Sequence, residues 1–329
     1  MALESSWSHG GSNECAKPAA TVAPYRAKPL YRPLAVHADP HPDLPRRIDV
    51  RTGEVSLAVH ALGGAGPPVV LVHPAGFHGR VWKPVADALA AEFTCMAPDL
   101  RGHGDSPLPE DDDLHWRGFA ADLLALIDDL GLRRPFGVGH SSGGTALLLA
   151  EETRPGTFRA LYCYEPVLVP AEPPLGPDPD NWLGERARAR RATFTSRAEA
   201  LAHYAAKPPL AALDPEVLRL YVEHGLQDAG DGTVRLKCHP DHEGRMYEMA
   251  TAHDAYGRLG RVRCPVTVAC GEESEAACTR LLGHLGERLP QTRTETFPRL
   301  GHLGPLEDPA RVARSIRAAF TDHLTPQPD

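Results

Sequence analysis

The residues with the clearest chemical potential are Gly139-His140-Ser141-Ser142-Gly143. They lie between a short apolar run, Phe136 and Val138, and an apolar helix pattern from Thr145 to Ala150. A strand that must become a helix within so few residues forces strained dihedrals on the turn residue, and small neighbours relieve the crowding. Ser141 at such a turn projects its hydroxyl above a sheet, where it can act as a nucleophile. Gly137, Gly139 and Gly143 also loosely follow a dinucleotide fingerprint, but the spacing departs from GxGxxG. A phosphate loop would need a lysine that residues 139–145 do not contain.

A serine hydroxyl is a poor nucleophile until a base takes its proton, so a histidine must come near it. Of the 17 histidines, His302 is best placed, in Leu300-Gly301-His302-Leu303-Gly304 between the last strand pattern and the closing helix. That is a strand's carboxyl end, where open parallel sheets assemble their sites. His140, His73 and His103 are the runners-up. For the acid that orients the histidine, Glu165 closes the apolar stretch Leu161-Tyr162-Cys163-Tyr164 and precedes Pro166. A carboxylate ending a buried strand needs a partner, and a histidinium suits it. Glu272 and Glu273, after the apolar stretch 265–270, are the alternatives. An oxyanion needs two donors already in place. The Ser142 amide is one; Ala75, in His73-Pro74-Ala75-Gly76-Phe77, is the other, with Gly76 next, because Pro74 has no N–H.

These residues need a frame that brings distant segments to one edge. Residues 48–51 and 54–61, joined through Thr52-Gly53, read as an antiparallel hairpin. Strand patterns at 69–73, 94–97, 136–138, 160–164, 265–270 and 292–297 then alternate with helix patterns at 81–93, 116–130, 143–152, 276–289 and 309–324. Such alternation predicts an α/β architecture, a mostly parallel sheet with helices on both faces. It stops after Pro166, where six prolines in 166–180 lead into an arginine-rich segment and further helix-like stretches. The expected organisation is a proline-rich arm or disordered tail over 1–47, a core over 48–165 and 262–329, and a helical cap over 166–261.

Composition narrows the function classes. With 329 residues, 42% of them hydrophobic, the chain can bury a large core and is neither collagen-like nor fully disordered. Lysine plus arginine number 35 against 43 acidic residues, so there is no excess charge to neutralise a nucleic acid. No apolar run approaches the roughly 18 residues of a membrane span. Met1 to Pro18 holds no hydrophobic stretch, so a cytoplasmic protein without a membrane partner is expected. Seven scattered cysteines suit reduced thiols. Cys238-His239-Pro240-Asp241-His242-Glu243 carries metal-ligating types but no second pair, and reads as a polar turn. The arginines over 186–191 read as the solvated face of a helix, and Asp105 as a residue fixing a turn. Phe77, Trp82, Tyr164 and Trp182 are candidates either for pocket lining or for packing.

Residues 48–324, the inserted segment aside, resemble the α/β-hydrolase superfamily. Four motifs carry the resemblance: HPAGFHGRVW at 73–82, PDLRGHGDSP at 98–107, GHSSGG at 139–144 and LGHLGPLEDP at 300–309. It implies the α/β-hydrolase fold, Ser141 as nucleophile, His302 as base, and the Ala75 and Ser142 amides as oxyanion hole. Two positions depart from the family. Its common His-Gly pair is His73-Pro74 here, which stiffens the loop, and its aspartate after the seventh strand falls on Ser274. Some members, including a class of haloalkane dehalogenases, place a glutamate at the end of the sixth strand instead, which favours Glu165. Those dehalogenases and the epoxide hydrolases use an aspartate nucleophile, so a serine argues against both chemistries. The expected activity is a serine hydrolase acting through an acyl-enzyme on an ester, thioester or lactone of a small to medium, partly apolar molecule. The alternatives are a C–C hydrolase, lyase, cyclase or isomerase on the same fold, or a non-catalytic ligand-binding homologue. The expected partner is a small-molecule substrate, with no metal or organic cofactor; a homo-oligomer is left open.

Overall fold

A computed structural model describes residues 46–51, 55–171, 174–274 and 276–324. Its strands are β1 (Arg46–Arg51), β2 (Ser56–Gly64), β3 (Pro68–Val72), β4 (Thr94–Pro98), β5 (Phe136–His140), β6 (Leu161–Tyr164), β7 (Thr193–Phe194), β8 (Leu226–Asp228), β9 (Val234–Leu236), β10 (Val266–Gly271) and β11 (Thr292–Phe297). The helices are α1 (Lys83–Leu89), α2 (Trp116–Asp129), α3 (Ser142–Thr153), α4 (Trp182–Arg188), α5 (Arg197–Ala205), α6 (Pro215–Gly225), α7 (Pro240–Glu248), α8 (Ala255–Arg258), α9 (Ala276–Arg288), α10 (Gly304–Glu307) and α11 (Pro309–Thr321).

Eight strands form one sheet in the order β1-β2-β4-β3-β5-β6-β10-β11. The β1–β2 and β2–β4 pairings are antiparallel and the remaining five parallel. Its central strands are apolar on both faces because helices cover both. Along β3, Val69 and Leu71 join one buried cluster while Val70 and Val72 join the other. The first cluster includes the α11 stripe Val312, Ala313, Ile316 and Phe320, which repeats at helical spacing. Phe320 stacks on Phe136 at 4.4 Å and meets Phe93 edge-on at 5.9 Å. Aromatic pairs of this kind add about 0.5–1.5 kcal/mol beyond the area they bury. The α2 residues Phe119, Leu123 and Leu126 pack on the opposite face. Asp308 starts α11 by accepting the Arg311 amide at 2.9 Å, with Pro309 pre-set for the first turn.

Two expectations change. β1 begins at Arg46, so residues 46 and 47 open the sheet and do not end the arm; residues 1–45 and the turn at 52–53 lie outside the described residues. The inserted stretch between β6 and β10 is not purely helical, since β7, β9 and β8 form a small antiparallel sheet within it. Strands of two or three residues are too short to show a period in sequence. Cys95, Cys163, Cys238, Cys264 and Cys270 are free and buried, while Cys15 lies outside the described residues. Among the described residues no helix is long and apolar enough to cross a membrane.

Because β5, β6, β10 and β11 run parallel, their carboxyl ends share one edge of the sheet. Ser141, Glu165, Ser274 and His302 all follow strands that end there.

Candidate active site

Ser141 follows β5 with φ 53° and ψ −120° and is almost fully buried. A non-glycine residue in that region costs roughly 1–3 kcal/mol and persists only where its surroundings over-determine it. Here the Ser141 amide donates to the Tyr164 carbonyl at 2.9 Å, and the Thr145 amide donates to the Ser141 carbonyl at 3.1 Å. The flanking glycines are a matter of space. A Cβ on Gly139 would lie 2.6 Å from the Gly144 Cα, and one on Gly143 2.3 Å from the Val72 carbonyl oxygen. Small residues thus let α3 start directly against the ends of β3 and β5.

Glu165 is the neighbouring residue at the end of β6 and also has positive φ, 44°. Its amide extends the ladder to the Ala269 carbonyl at 2.8 Å. Its carboxylate Oε2 is hydrogen bonded to His302 Nδ1 at 2.6 Å. Oε1 accepts the Gly271 amide at 2.8 Å and the Ser274 hydroxyl. Burial alone would raise this carboxyl, but the His302 contact, the Ser274 hydroxyl and the Gly271 amide together hold it down at about 2. The carboxylate can only accept, so His302 Nδ1 carries the proton and Nε2 is left as the ring's basic nitrogen. The His302 loop is fixed by the Tyr164 hydroxyl donating to the Gly301 carbonyl and the Gly301 amide donating to Glu307, both at 2.9 Å. Just past Glu165, the Thr145 hydroxyl donates to the Val167 carbonyl at 2.8 Å.

Of the two acid positions left open by sequence, Glu165 is the one brought to His302. Glu272 and Glu273 are exposed, and the Glu272 carboxylate accepts the Arg299 amide at 3.3 Å. Sequence reasoning missed that Ser274 donates to Glu165. The signal was present in the serine standing where the family has its aspartate.

The other histidines divide. His140 is fully buried, its ring 5.0 Å from that of His302 and edge-on to Tyr164 at 5.7 Å. Burial, reinforced by His302, pushes it down to about 3, so it is neutral. His73 donates from Nδ1 to the Pro74 carbonyl at 2.8 Å and accepts the Leu100 amide at Nε2, 2.9 Å. Burial, with His103 adding to it, lowers His73 to about 3. With both nitrogens engaged, His73 ties down the start of loop 73–78. His103 lies 5.2 Å from His73 and contacts the Arg101 carbonyl at 3.0 Å.

Ala75 is buried in that loop, and the Phe77 amide is spent on the Pro74 carbonyl at 3.3 Å. The Gly76 amide faces the Cys238 thiol, where it opposes the burial that pushes the thiol up. A Cβ on Gly143 would also lie 2.6 Å from the His73 carbonyl oxygen, so the loop abuts the start of α3. Ser142 opens α3, and the first amides of a helix have no partner within it.

Three weaker readings resolve. Asp105 fixes a turn, its amide donating to Asp99 at 2.8 Å and its carboxylate pairing with Lys237 at 2.5 Å. His60, Asp99 and Asp105 bring ligating atoms close together, but Asp99 already accepts the Gly79 and Asp105 amides and contacts His60. Residues 238–243 are not a turn. His239 accepts the Asp241 amide as the cap of α7, and Glu243 is a buried residue of that helix. Trp182 is 49% exposed, whereas Trp82 and Tyr164 are packed in the core.

A carboxylate holding an imidazole, beside a serine on a strained turn, has the parts of a general-base system. The family model described as "Alpha/beta hydrolase family" matches residues 69–315. An epoxide hydrolase of Caballeronia sordidicola is 34% identical over 122 residues, 36% of this chain and 36% of that protein. Lipase LipV of Mycobacterium tuberculosis is 36% identical over 118 residues, 35% of this chain and 43% of the lipase. The matches to several curated relatives cover only about a third of their length, whereas the "Putative carbamate hydrolase RutD" of Pseudomonas syringae is 25% identical over 77% of this chain and 93% of that protein. Among solved structures, an E-2-(acetamidomethylene)succinate hydrolase is similar at a TM-score of 0.71 and 23% identity, over 84% of this chain and 98% of that one. Fold, strand order and the extent of the family match agree, and the chain belongs to the alpha/beta hydrolase family.

Proposed function

We propose that this protein is a serine hydrolase that cleaves an ester, thioester or lactone of a small to medium, partly apolar molecule through an acyl-enzyme. The observation that carries the reading is the 2.6 Å hydrogen bond from His302 Nδ1 to a buried Glu165, one strand over from Ser141. It leaves Nε2 to take the Ser141 proton while Oγ attacks the acyl carbonyl. The tetrahedral oxyanion is received by the Ala75 and Ser142 amides, each such donor being worth about 3–4 kcal/mol in the transition state. His302 then protonates the leaving group, takes a proton from the water that attacks the acyl carbon, and gives that proton to the Ser141 oxygen as its bond to the acyl group breaks. Glu165, held ionised, keeps the ring in one tautomer and stabilises its cation.

Replacing Ser141 by alanine is expected to abolish labelling by a fluorophosphonate probe and hydrolysis of p-nitrophenyl acetate. An acetyl adduct on the Ser141 peptide of the wild-type protein, trapped at low pH, supports the acyl-enzyme. Labelling that persists in the alanine variant rejects Ser141 as nucleophile. Turnover with no adduct favours a route without one.

A further inference from the structure

The second half of the candidate site is gripped from the inserted segment. Arg190, just past α4, pairs through Nη1 with Glu243 on α7 and through Nη2 with the Tyr221 hydroxyl on α6. Glu243 is 5% exposed and the Arg190 side chain 21%. This pair rests on Gly76. A Cβ added there would fall 2.5 Å from Glu243 Oε1 and 2.9 Å from Arg190 Nη1. Gly76 has φ +74°, the region that favours glycine, and has no side chain with which to anchor itself. The Tyr221 ring extends the contact, lying 4.9 Å from Phe77 and parallel to His78 at 6.2 Å. From the core side the same loop is held by His73.

We infer that Arg190 and Glu243 are positioning residues, whose ion pair holds the Gly76 main chain and thereby aims the Ala75 amide at the oxyanion. The inference rests on the serine-hydrolase reading above. Its physical basis is the narrow geometry of such donors, which must lie about 2.7–3.1 Å from the oxyanion. Pro74 offers the loop no amide to anchor it, and Gly76 is its loosest joint. A buried pair deprived of one partner leaves an uncompensated charge that must move toward water, and the loop packed on it moves too.

The test is the rate at which a fluorophosphonate modifies Ser141, which needs no known substrate. The Ser141 oxygen displaces fluoride from phosphorus, its proton passes to His302, and the phosphoryl oxygen occupies the oxyanion site. Arg190→Met keeps the side-chain stem, and Glu243→Gln keeps the shape. Both are expected to lower kinact about 10- to 100-fold, up to the loss of a whole donor, with KI within about threefold. Arg188→Met breaks the nearby Arg188–Glu248 pair between α4 and α7, neither of whose side chains is among the atoms nearest a Cβ at Gly76, and is expected to leave kinact unchanged. Should the charge variants fail to fold, Tyr221→Phe, which removes only the hydroxyl that meets Arg190 Nη2 and leaves the ion pair in place, is expected to lower kinact in the same direction by a smaller factor with KI unchanged. Equal kinact in all variants overturns the inference, as does an equal loss in Arg188→Met or a fall confined to KI. Wild-type protein that is not labelled at all overturns the serine-hydrolase reading, and this inference with it.

Discussion

Glu165 and His302 are held by the large sheet, whereas loop 73–78 is clasped between the core and the inserted segment. On the first side, the Glu165 amide belongs to the β6–β10 ladder, and its carboxylate is met by Gly271, Ser274 and His302, all at the carboxyl edge of the sheet. On the other, His73 secures one end of the loop while Arg190, Glu243 and Tyr221 press on its middle. Parallel strands buried on both faces hold residues rigidly. A contact between an insertion and a loop depends on how that insertion sits. The half proposed to handle protons is therefore built where the fold cannot give, and the half proposed to hold the oxyanion where it can.

The largest effect that would break this contrast concerns the acid. Glu165→Gln keeps the shape but removes the charge that stabilises the imidazolium, and a loss of 10²- to 10⁴-fold in kcat is expected. Adding Ser274→Asp in that background places a carboxylate where the family has one, and kcat should recover at least about tenfold if the sheet edge alone sets the geometry. No recovery would mean that the Glu165 position depends on more than reach. The loop half should respond less, through the 10- to 100-fold loss in kinact expected of the Arg190 and Glu243 variants. A larger loss there than at Glu165 would reverse the comparison.

The smallest effect is on stability against pH. Burial first, with neighbouring histidines or cations, lowers His73, His140 and His224 to about 3 and His78 and His253 to about 4. These rings stay neutral in the folded protein while the unfolded chain takes up protons near 6.5, so stability should fall as pH drops below 6.5 and level off near 4 to 3. Glu165 acts in a lower window. Its contribution is complete above the unfolded value of 4.5 and is lost as pH falls toward 2. Chemical denaturation at pH 7, 5.5 and 4.5 reads the histidines; a Glu165→Gln variant that loses less stability between pH 4.5 and 3 reads the carboxylate. Flat stability down to pH 4.5 would contradict the burial of the rings.

Most of the frame was legible because each central strand is a short apolar run and the flanking helices are amphipathic or, like α3, apolar throughout, and neither pattern needs tertiary help to be seen. Ser141 was legible because its glycines are demanded by close approach of backbone. Glu165 was legible as a carboxylate ending a buried strand and His302 as the imidazole it would meet, but the Ser274 hydroxyl on its other oxygen was not. Arg190 was not legible. In the run over 186–191 nothing in spacing separates the arginine that turns inward from those in solvent, since it lies beyond the end of α4, where helical periodicity no longer applies. Glu243 was hidden for a related reason: Pro240 and His239 read as turn residues, whereas they begin a helix.

The Thr145–Val167 hydrogen bond has a practical meaning for chimeras. Only Pro166 separates Glu165 from Val167, whose carbonyl is where α3 grips the outgoing chain. That grip works as a strain relief, so tugging on the inserted stretch is absorbed before it reaches the carboxylate. An exchange of insertions between related hydrolases is best spliced downstream of Val167, with Thr145 retained, so that the graft inherits the original mooring.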